Sequence, residues 1–285
     1  MQPMVITAAL VGAETTRAQT PYLPISAEEI AAEAKRCREA GAAMVHLHVR
    51  ETDGTPSQSA ELFGKAIAAI RERCDVLIQV STGGAVGMTV DERCGPLTLT
   101  GALKPDMATL TTGTVNFGDD VFLNTRPMVL EIARRIRALG LRAEVECFEA
   151  GMMDEARFVA KQGLLDLPAH YDFVLGTPGA LGASDATLRF LVSRLPEGSS
   201  WTVAGIGRHQ LPMAELGIAW GGNAWVGLED NINLSRGVLA KGSYELVAAV
   251  AEKARSYGRP LASPGEARAL LRLEDTLQAG SASAI

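Results

Sequence analysis

The feature that most constrains the fold is a regular alternation of apolar, strand-like segments with amphipathic, helix-like segments, repeated about eight times. The predicted strands occupy residues 4–11, 44–50, 76–80, 107–110, 142–148, 171–175, 201–204 and 224–228. Their near-continuous apolar sequences and short connections are typical of parallel βα units. Eight such units in a chain of 285 residues predict an α/β protein with one domain, a (β/α)8 TIM barrel.

The alternative architecture is an open, doubly wound sheet. That fold expects a glycine-rich turn directly after the first strand, and Val11-Gly12-Ala13-Glu14 matches such a turn poorly. Helices predicted at residues 242–257 and 264–273 complete the domain, and residues 280–285 are predicted to fray. The barrel is therefore the favoured prediction.

The composition restricts which classes of binding partner and which cellular compartment we expect for this chain. The formal charge of -6 argues against nucleic acid or an anionic membrane as the main partner. The four cysteines are widely spaced without a Cys-x-x-Cys pair, which indicates free thiols in a reducing compartment, and we expect the cytoplasm. The first apolar run is too short to span a membrane and lacks the basic start of a signal peptide.

Two of the four histidines, His46 and His48, fall in the second predicted strand. Side chains alternate along a strand with period 2, so both imidazoles point to the same face. Together they would supply two of the three protein ligands of an open catalytic zinc site. The alternative interpretation is a pair of histidines hydrogen-bonded inside a polar barrel.

The carboxyl ends of barrel strands carry the active site, and strand 8 closes against strand 1, which neighbours strand 2. Glu14 after strand 1, and Glu229 and Asp230 after strand 8, are therefore expected on the same part of the rim as the histidines. Glu229 is the predicted third metal ligand. Asp230, which should point the opposite way, is left as a candidate base. The alternative for this acidic pair is a solvated loop.

Other rim residues are candidates for binding. Residues 81–84 (Ser-Thr-Gly-Gly) offer hydroxyls and open backbone N–H groups for a carboxylate or oxyanion, although an ordinary turn would have the same sequence. Thr109 would add a hydroxyl. Glu14 would attract a cationic group, unless it is only a surface turn residue. Glu144 and Glu146 share one strand face, and we expect them to pair with basic residues or water without a catalytic step.

Six segments resemble the β-keto acid cleavage enzymes, in that family's order and along nearly the whole chain. They are Gly12-Ala-Glu14-Thr-Thr-Arg17, His46-Leu-His48-Val-Arg50, Gln79-Val-Ser81-Thr-Gly-Gly84, Lys104-Pro-Asp-Met-Ala-Thr109, Val203-Ala-Gly-Ile-Gly-Arg208 and Gly227-Leu-Glu229-Asp-Asn231. The resemblance implies a zinc-dependent barrel that condenses a β-keto acid, 3-keto-5-aminohexanoate or a similar acid, with acetyl-CoA. The products would be acetoacetate and a new acyl-CoA such as 3-aminobutyryl-CoA. A homo-oligomer, often a tetramer, is also implied.

The resemblance assigns roles by position. His46, His48 and Glu229 would hold the metal, and Asp230 and Ser81 would lie at the catalytic centre, with Asp230 as the base. The substrate-binding positions would be Glu14, for an amino group, and Ser81, Gly84 and Thr109, for the keto acid. In the implied reaction the keto oxygen and carboxylate chelate zinc, the methylene between them is deprotonated, and the carbanion attacks the thioester. CoA then passes to the other carbonyl, and a retro-Claisen cleavage releases acetoacetate.

One position departs from the family pattern. Asn223-Ala-Trp225 stands where a His-x-Arg is expected, and an indole cannot donate the bidentate, charged hydrogen bond of an arginine. Trp225 is compatible with a packing role in an enzyme for another β-keto acid, or with a metal-binding barrel whose CoA chemistry is altered or lost. Arg50 and Arg208 are candidates to replace the missing charge. Imidazole and carboxylate ligands also suit Fe, Mn and Co.

Overall fold

A computed structural model describes residues 2–274. Eight parallel strands form a closed barrel in which each strand pairs with the next along the chain and the eighth pairs with the first. The strands are β1 (Ile6–Ala9), β2 (Met44–Leu47), β3 (Leu77–Val80), β4 (Met107–Thr111), β5 (Arg142–Cys147), β6 (His170–Leu175), β7 (Ser200–Gly205) and β8 (Asn223–Val226). The predicted TIM barrel is confirmed.

Helices surround the barrel and follow the strands in sequence. They are α1 (Ala27–Ala40), α2 (Ala60–Arg73), α3 (Val90–Arg93), α4 (Arg126–Ala138), α5 (Met152–Lys161), α6 (Asp185–Ser193), α7 (Gln210–Trp220), α8 (Ser243–Ser256) and α9 (Pro264–Leu270). Helix α1 begins with the capping box that the sequence predicts, because the Ser26 side chain accepts from Glu29 N and the Glu29 carboxylate accepts from Ser26 N.

Three short antiparallel hairpins lie outside the barrel sheet. They pair Val49–Arg50 with Pro56–Ser57, Val115–Phe117 with Asp120–Phe122, and Asn233–Ser235 with Val238–Leu239. The predicted strand 44–50 is therefore divided: β2 ends at Leu47, and the chain continues into the first hairpin.

Strand β8 also ends earlier than predicted. Gly227 has a φ of 157°, and a Cβ at this position would lie 2.0 Å from Ala9 O, so only glycine allows the close approach to β1. Glu229 and Asp230 consequently lie in a turn rather than at the end of an extended strand. The predicted frayed tail, residues 280–285, lies outside the described residues.

The amino end of the barrel is closed by apolar packing. Side chains at the amino ends of the strands form an apolar cluster with α9 and the residues that flank it. The cluster includes Val5, Met44, Leu77, Met107, Ala262, Ala267, Leu271 and Leu273. This closure leaves the carboxyl end of the barrel as the accessible end. Within residues 2–274, no helix combines the length and the apolar character that crossing a bilayer requires, and all four cysteines are free thiols.

Candidate active site

A cavity of about 300 Å³ opens at the carboxyl end of the strands. Its lining includes every site residue predicted from the sequence except Thr109: Glu14, His46, His48, Ser81, Gly84, Glu229 and Asp230. The register explains this convergence, because Ala9 of β1 lies beside His46 of β2 and Ala8 lies beside Val226 of β8. The expected grouping of strands 1, 2 and 8 on one part of the rim is confirmed.

His46, His48 and Glu229 form a set of donors that fits a divalent metal ion. Glu229 Oε1 lies 3.8 Å from His46 Nε2 and 3.5 Å from His48 Nε2, and one donor atom from each residue lies within 4.8 Å of the others. Glu229 Oε2 is buried without a hydrogen-bond partner in the described chain. Two nitrogens and one carboxylate leave coordination positions for water or substrate.

The charge state of these residues also suits a metal. Burial lowers the pKa of His46 to about 4 and holds the pKa of His48 well below its usual value, so both imidazoles are in the neutral form that binds metals. Burial and the neighbouring Asp230 and Glu146 carboxyls raise the pKa of Glu229. A cation between the imidazoles and the carboxylate would offset that crowding of negative charge.

Gln79 orients His46. Its Oε1 lies 2.7 Å from His46 Nδ1, while its Nε2 donates to Glu144 Oε1 at 2.9 Å. Since the amide nitrogen faces the Glu144 carboxylate, the amide oxygen faces the imidazole, and His46 Nδ1 must carry the hydrogen. The lone pair of His46 Nε2 then faces Glu229. Gln79 is not among the residues predicted from the sequence to act in the site, although its two-residue spacing from Ser81 places both residues on one strand face.

The segment that carries Glu14 is held against the turn that carries Glu229. Thr15 Oγ1 donates to Glu229 O at 2.9 Å, and Arg50 Nη2 donates to Gly12 O and Thr15 O at 2.8 Å. Gly12 has a φ of 65°, and a Cβ there would lie 2.5 Å from Glu229 Cγ. Glu14 itself is exposed and lines the cavity.

Trp225 lies between His46 and Asp230. Its indole Nε1 donates to Asp230 Oδ2 at 2.8 Å, and its ring centroid lies 4.5 Å from that of His46. Burial raises the pKa of Asp230 to about 6, against the opposing effect of the Trp225 hydrogen bond. The expectation that Asp230 points away from Glu229 is wrong: both line the cavity, because the turn after Gly227 replaces an extended strand.

Neither candidate for the missing arginine charge reaches Asp230. The Arg50 guanidinium donates to the backbone carbonyls of Gly12, Thr15 and Gly54. Arg208 is exposed, and its Nε faces His209 Nε2 at 3.3 Å. In residues 2–274, the side chain that hydrogen-bonds to the Asp230 carboxylate is therefore the neutral indole of Trp225.

The loop of residues 81–84 presents polar groups to the cavity. Gly83 N donates to Ser81 Oγ at 3.0 Å, and Gly84 adopts a φ of 65°. Thr109, predicted to contact substrate, is fully buried, and its Oγ1 accepts from Thr82 N at 3.2 Å. Because β4 continues to Thr111, Thr109 lies below the rim and supports the loop from behind.

Two acids of β5 have different surroundings. Glu144 Oε2 lies 3.1 Å from His170 Nε2, so the expected basic neighbour is present. Glu146 lines the cavity and instead accepts a hydrogen bond from the Thr111 hydroxyl. Burial raises the pKa of Glu146 to about 7, and the Glu144 charge contributes to the rise. The sequence analysis did not place Glu146 in the cavity.

An aromatic wall completes the cavity. Phe117, Phe122 and Phe148 pack edge to face, with ring centroids 6.1–6.3 Å apart. The hairpin after β4 supplies the first two rings. This wall was not predicted, because the positions of the three residues in the sequence do not show that the hairpin folds over the barrel mouth.

Comparison with known proteins gives one family and several relatives. The family model described as β-keto acid cleavage enzyme matches residues 3–273. The chain is 49% identical over 276 residues to a 3-keto-5-aminohexanoate cleavage enzyme from Fusobacterium nucleatum, covering 96% of this chain and 99% of that protein. It is 46% identical over 273 residues to the enzyme of the same name from Acetoanaerobium sticklandii, covering 95% and 98%.

A third relative has a different substrate in its name. It is the 3-oxoadipate:acetyl-CoA acetyltransferase of Cupriavidus necator, 38% identical over 276 residues and covering 95% of each chain. Among solved structures, ObcA without ligand superposes with a TM-score of 0.79 at 21% identity, covering 90% of this chain and 66% of that one. That structural similarity supports the barrel fold alone.

Proposed function

Because the chain belongs to the β-keto acid cleavage enzyme family, we propose that it condenses a β-keto acid with acetyl-CoA and releases acetoacetate and a new acyl-CoA. The proposed acid is 3-keto-5-aminohexanoate or a close analogue, which would give 3-aminobutyryl-CoA. The observation that carries the proposal is the convergence of two imidazoles and two carboxylates from β2 and the turn after β8 in one cavity. The names of the relatives with 49% and 46% identity support this substrate class.

His46, His48 and Glu229 would hold the metal, with zinc as the first candidate and other divalent ions also suited to these ligands. When bound, such an ion would polarise the keto group and stabilise negative charge on its oxygen. Gln79 contributes by fixing the His46 tautomer that leaves Nε2 available.

The remaining site residues bind the acid and move its proton. Ser81 Oγ already accepts from Gly83 N, so the Ser81 hydroxyl hydrogen is available to a substrate oxygen, next to the open backbone at Gly84. Asp230 removes a proton from the methylene between the two carbonyl carbons, with its Oδ2 held by the Trp225 indole. Thr109 acts indirectly, since it fixes Thr82 of the same loop.

The carbanion then forms a carbon–carbon bond to the thioester carbonyl of acetyl-CoA. CoA passes to the original keto carbon, and cleavage of the adjacent carbon–carbon bond releases acetoacetate. Glu14 would bind the amino group of the acid at the cavity mouth. The phenylalanine wall would contact the apolar part of the acid and exclude water from the carbanion.

Trp225 favours a second candidate, the same chemistry on a different β-keto acid. An indole between His46 and Asp230 brings bulk and no charge where the family pattern has an arginine. The family includes relatives named for 3-oxoadipate and for 3-dehydrocarnitine, so its substrates differ in charge. A metal-binding barrel without CoA chemistry is the remaining alternative, and it predicts that acetyl-CoA is neither bound nor consumed.

The test measures turnover of three acids by the zinc-loaded protein with acetyl-CoA: 3-keto-5-aminohexanoate, 3-oxoadipate and 3-dehydrocarnitine. Acetoacetate is detected by NMR. We expect 3-keto-5-aminohexanoate to react, and Glu14→Gln to slow this cationic acid while sparing the anionic 3-oxoadipate. Equal losses on all acids would remove the ammonium-binding role of Glu14. Absence of acetoacetate from every acid would contradict the proposed reaction.

We further propose a homo-oligomer, with a tetramer as the expected size, that acts in the cytoplasm. The free thiols are compatible with a reducing compartment. Light scattering on the purified protein would measure the subunit number, and a monomeric mass would contradict this part of the proposal.

A further inference from the structure

The cavity wall is strongly acidic. Glu14, Glu146, Glu229 and Asp230 line it, and no lysine or arginine of the described residues does so. The proposed substrate brings a carboxylate, and therefore one more negative charge, into this space. A divalent ion would compensate only the acids near the imidazoles. A positive charge near the substrate's carboxylate would favour its binding.

Arg93 is a buried cation that forms no ion pair in residues 2–274, although the Glu146 carboxyl lies near enough for its charge to act on the guanidinium. Its side chain is 2% exposed, and its guanidinium donates to Thr82 O (2.7 Å), Leu123 O (3.1 Å) and Asn124 Oδ1 (2.7 Å). All three acceptors are neutral. Burial lowers the pKa of Arg93, but an arginine keeps its proton. Buried charges are normally paired, so this one requires an explanation.

The position of Arg93 supplies that explanation. Its Nε holds the carbonyl of Thr82 in the 81–84 loop, and a Cβ on Gly84 would lie 3.3 Å from Arg93 Cγ. Its Cζ lies 5.1 Å from the ring centroid of Phe122, which faces the cavity. The guanidinium therefore lies directly behind the wall formed by the loop and this ring.

Other buried arginines have different roles. Arg259 donates to Gly217 O and Ile218 O near the end of α7, where helix carbonyls concentrate negative charge. Arg50 lies close enough to Glu14 and Glu229 for their charges to act on it. Arg93 alone of these three arginines lies behind the loop that is proposed to bind an oxygen of the substrate.

We propose that Arg93 is a positioning residue that makes the 81–84 loop electropositive, and so selects ligands with a carboxylate at this end of the cavity. The inference rests on the proposed function, in which Ser81 and Gly84 bind an oxygen of the β-keto acid, and it assigns that oxygen to the carboxylate. Arg93 would act through space and through the loop, without touching the ligand. Its charge would be compensated when the acid binds.

The experiment compares acetoacetate with its uncharged amide, acetoacetamide, as ligands of the zinc-loaded protein in titration calorimetry. Asn124→Asp is the main variant, because an aspartate retains the acceptor for Arg93 Nη2 and neutralises the guanidinium in place. Arg93→Gln removes the charge outright. Asn116→Asp is the matched control, since it adds the same charge at an exposed position of the hairpin that follows β4.

We expect the wild type and Asn116→Asp to prefer acetoacetate, and Asn124→Asp and Arg93→Gln to lower that preference about tenfold. If Asn124→Asp weakens both ligands equally or neither, Arg93 is only structural and the inference is overturned, while the proposed function stands. If the wild type binds acetoacetate no better than the amide, the placement of the carboxylate at this loop is wrong and the inference fails, while the proposed reaction still stands or falls by the turnover test. Because Asn124→Asp keeps the hydrogen bond, the test does not depend on the folding of Arg93→Gln.

Discussion

The same barrel strands carry apolar side chains at the amino end of the barrel and polar side chains at the carboxyl end. At the amino end, Met44, Leu77 and Met107 are buried in an apolar cluster with residues of α9. At the carboxyl end, His46 and Gln79, two residues further along the same strands, belong to a polar network around the cavity. The closed end therefore supplies folding free energy, whereas the open end collects imidazoles and carboxyls that oppose burial. Function and stability should thus be separable by mutation.

The largest effect is expected at the open end, from Asp230→Asn. The amide cannot accept the methylene proton, so deuterium exchange at that carbon of the bound β-keto acid should slow by about 10³-fold. The exchange is measured by NMR in D2O without acetyl-CoA, and an unchanged melting temperature controls for folding. An exchange rate near that of the wild type would remove Asp230 as the base.

The closed end should respond in the opposite way. Met44→Ala creates a cavity in the cluster under the barrel, and we expect a loss of about 3 kcal/mol in the free energy of unfolding. At a temperature where the variant is folded, its turnover number should match that of the wild type. Urea denaturation and steady-state kinetics measure both quantities, with Val238→Ala at an exposed site as the control. A large fall in turnover would show that the two ends are coupled.

Gln79 belongs to the open end but does not line the cavity, and Gln79→Leu tests its effect on the candidate metal ligand His46. The variant keeps the side-chain volume roughly constant but leaves His46 Nδ1 without its acceptor. Metal affinity, measured by competition with a chromophoric chelator, should fall about 10- to 100-fold. Wild-type affinity in a folded variant would mean that this amide does not fix the tautomer.

The smallest effect is expected from Trp225→Phe, which keeps an aromatic ring against His46 and removes one hydrogen bond to Asp230. Methylene exchange should slow about tenfold, in line with the loss of one hydrogen bond to a charged group, without a change in metal content. Trp225→Arg tests the family pattern directly. An unchanged rate in both variants would show that the indole only fills space.

Much of the fold was predictable because period-2 and helical patterns repeat along the chain. The same logic placed both imidazoles on one face and brought Glu14, Glu229 and the histidines together. It failed where local backbone geometry decides the direction of a side chain. The turn after Gly227 directs both Glu229 and Asp230 into the cavity, and the extra length of β4 moves Thr109 below the rim.

The hydrophobic periodicity of the sequence could not predict contacts between distant segments. The Trp225–Asp230 hydrogen bond, the fold of the phenylalanine hairpin over the mouth, and the burial of Arg93 behind the loop depend on tertiary packing. The sequence around Arg93, in the short polar helix α3, does not distinguish this residue from a solvent-exposed arginine. Its burial and its neutral acceptors become evident only when residues 123–124, which follow the hairpin after β4, and the 81–84 loop meet around it.

The central claim is that His46, His48 and Glu229 hold one divalent ion on which turnover depends. The most direct measurement is metal content by mass spectrometry together with acetoacetate formation, before and after exhaustive chelation and after zinc is restored. We predict one ion per chain, loss of turnover with the ion, recovery with zinc, and neither metal nor turnover in His46→Ala. Full turnover by the chelated, metal-free protein would contradict the claim.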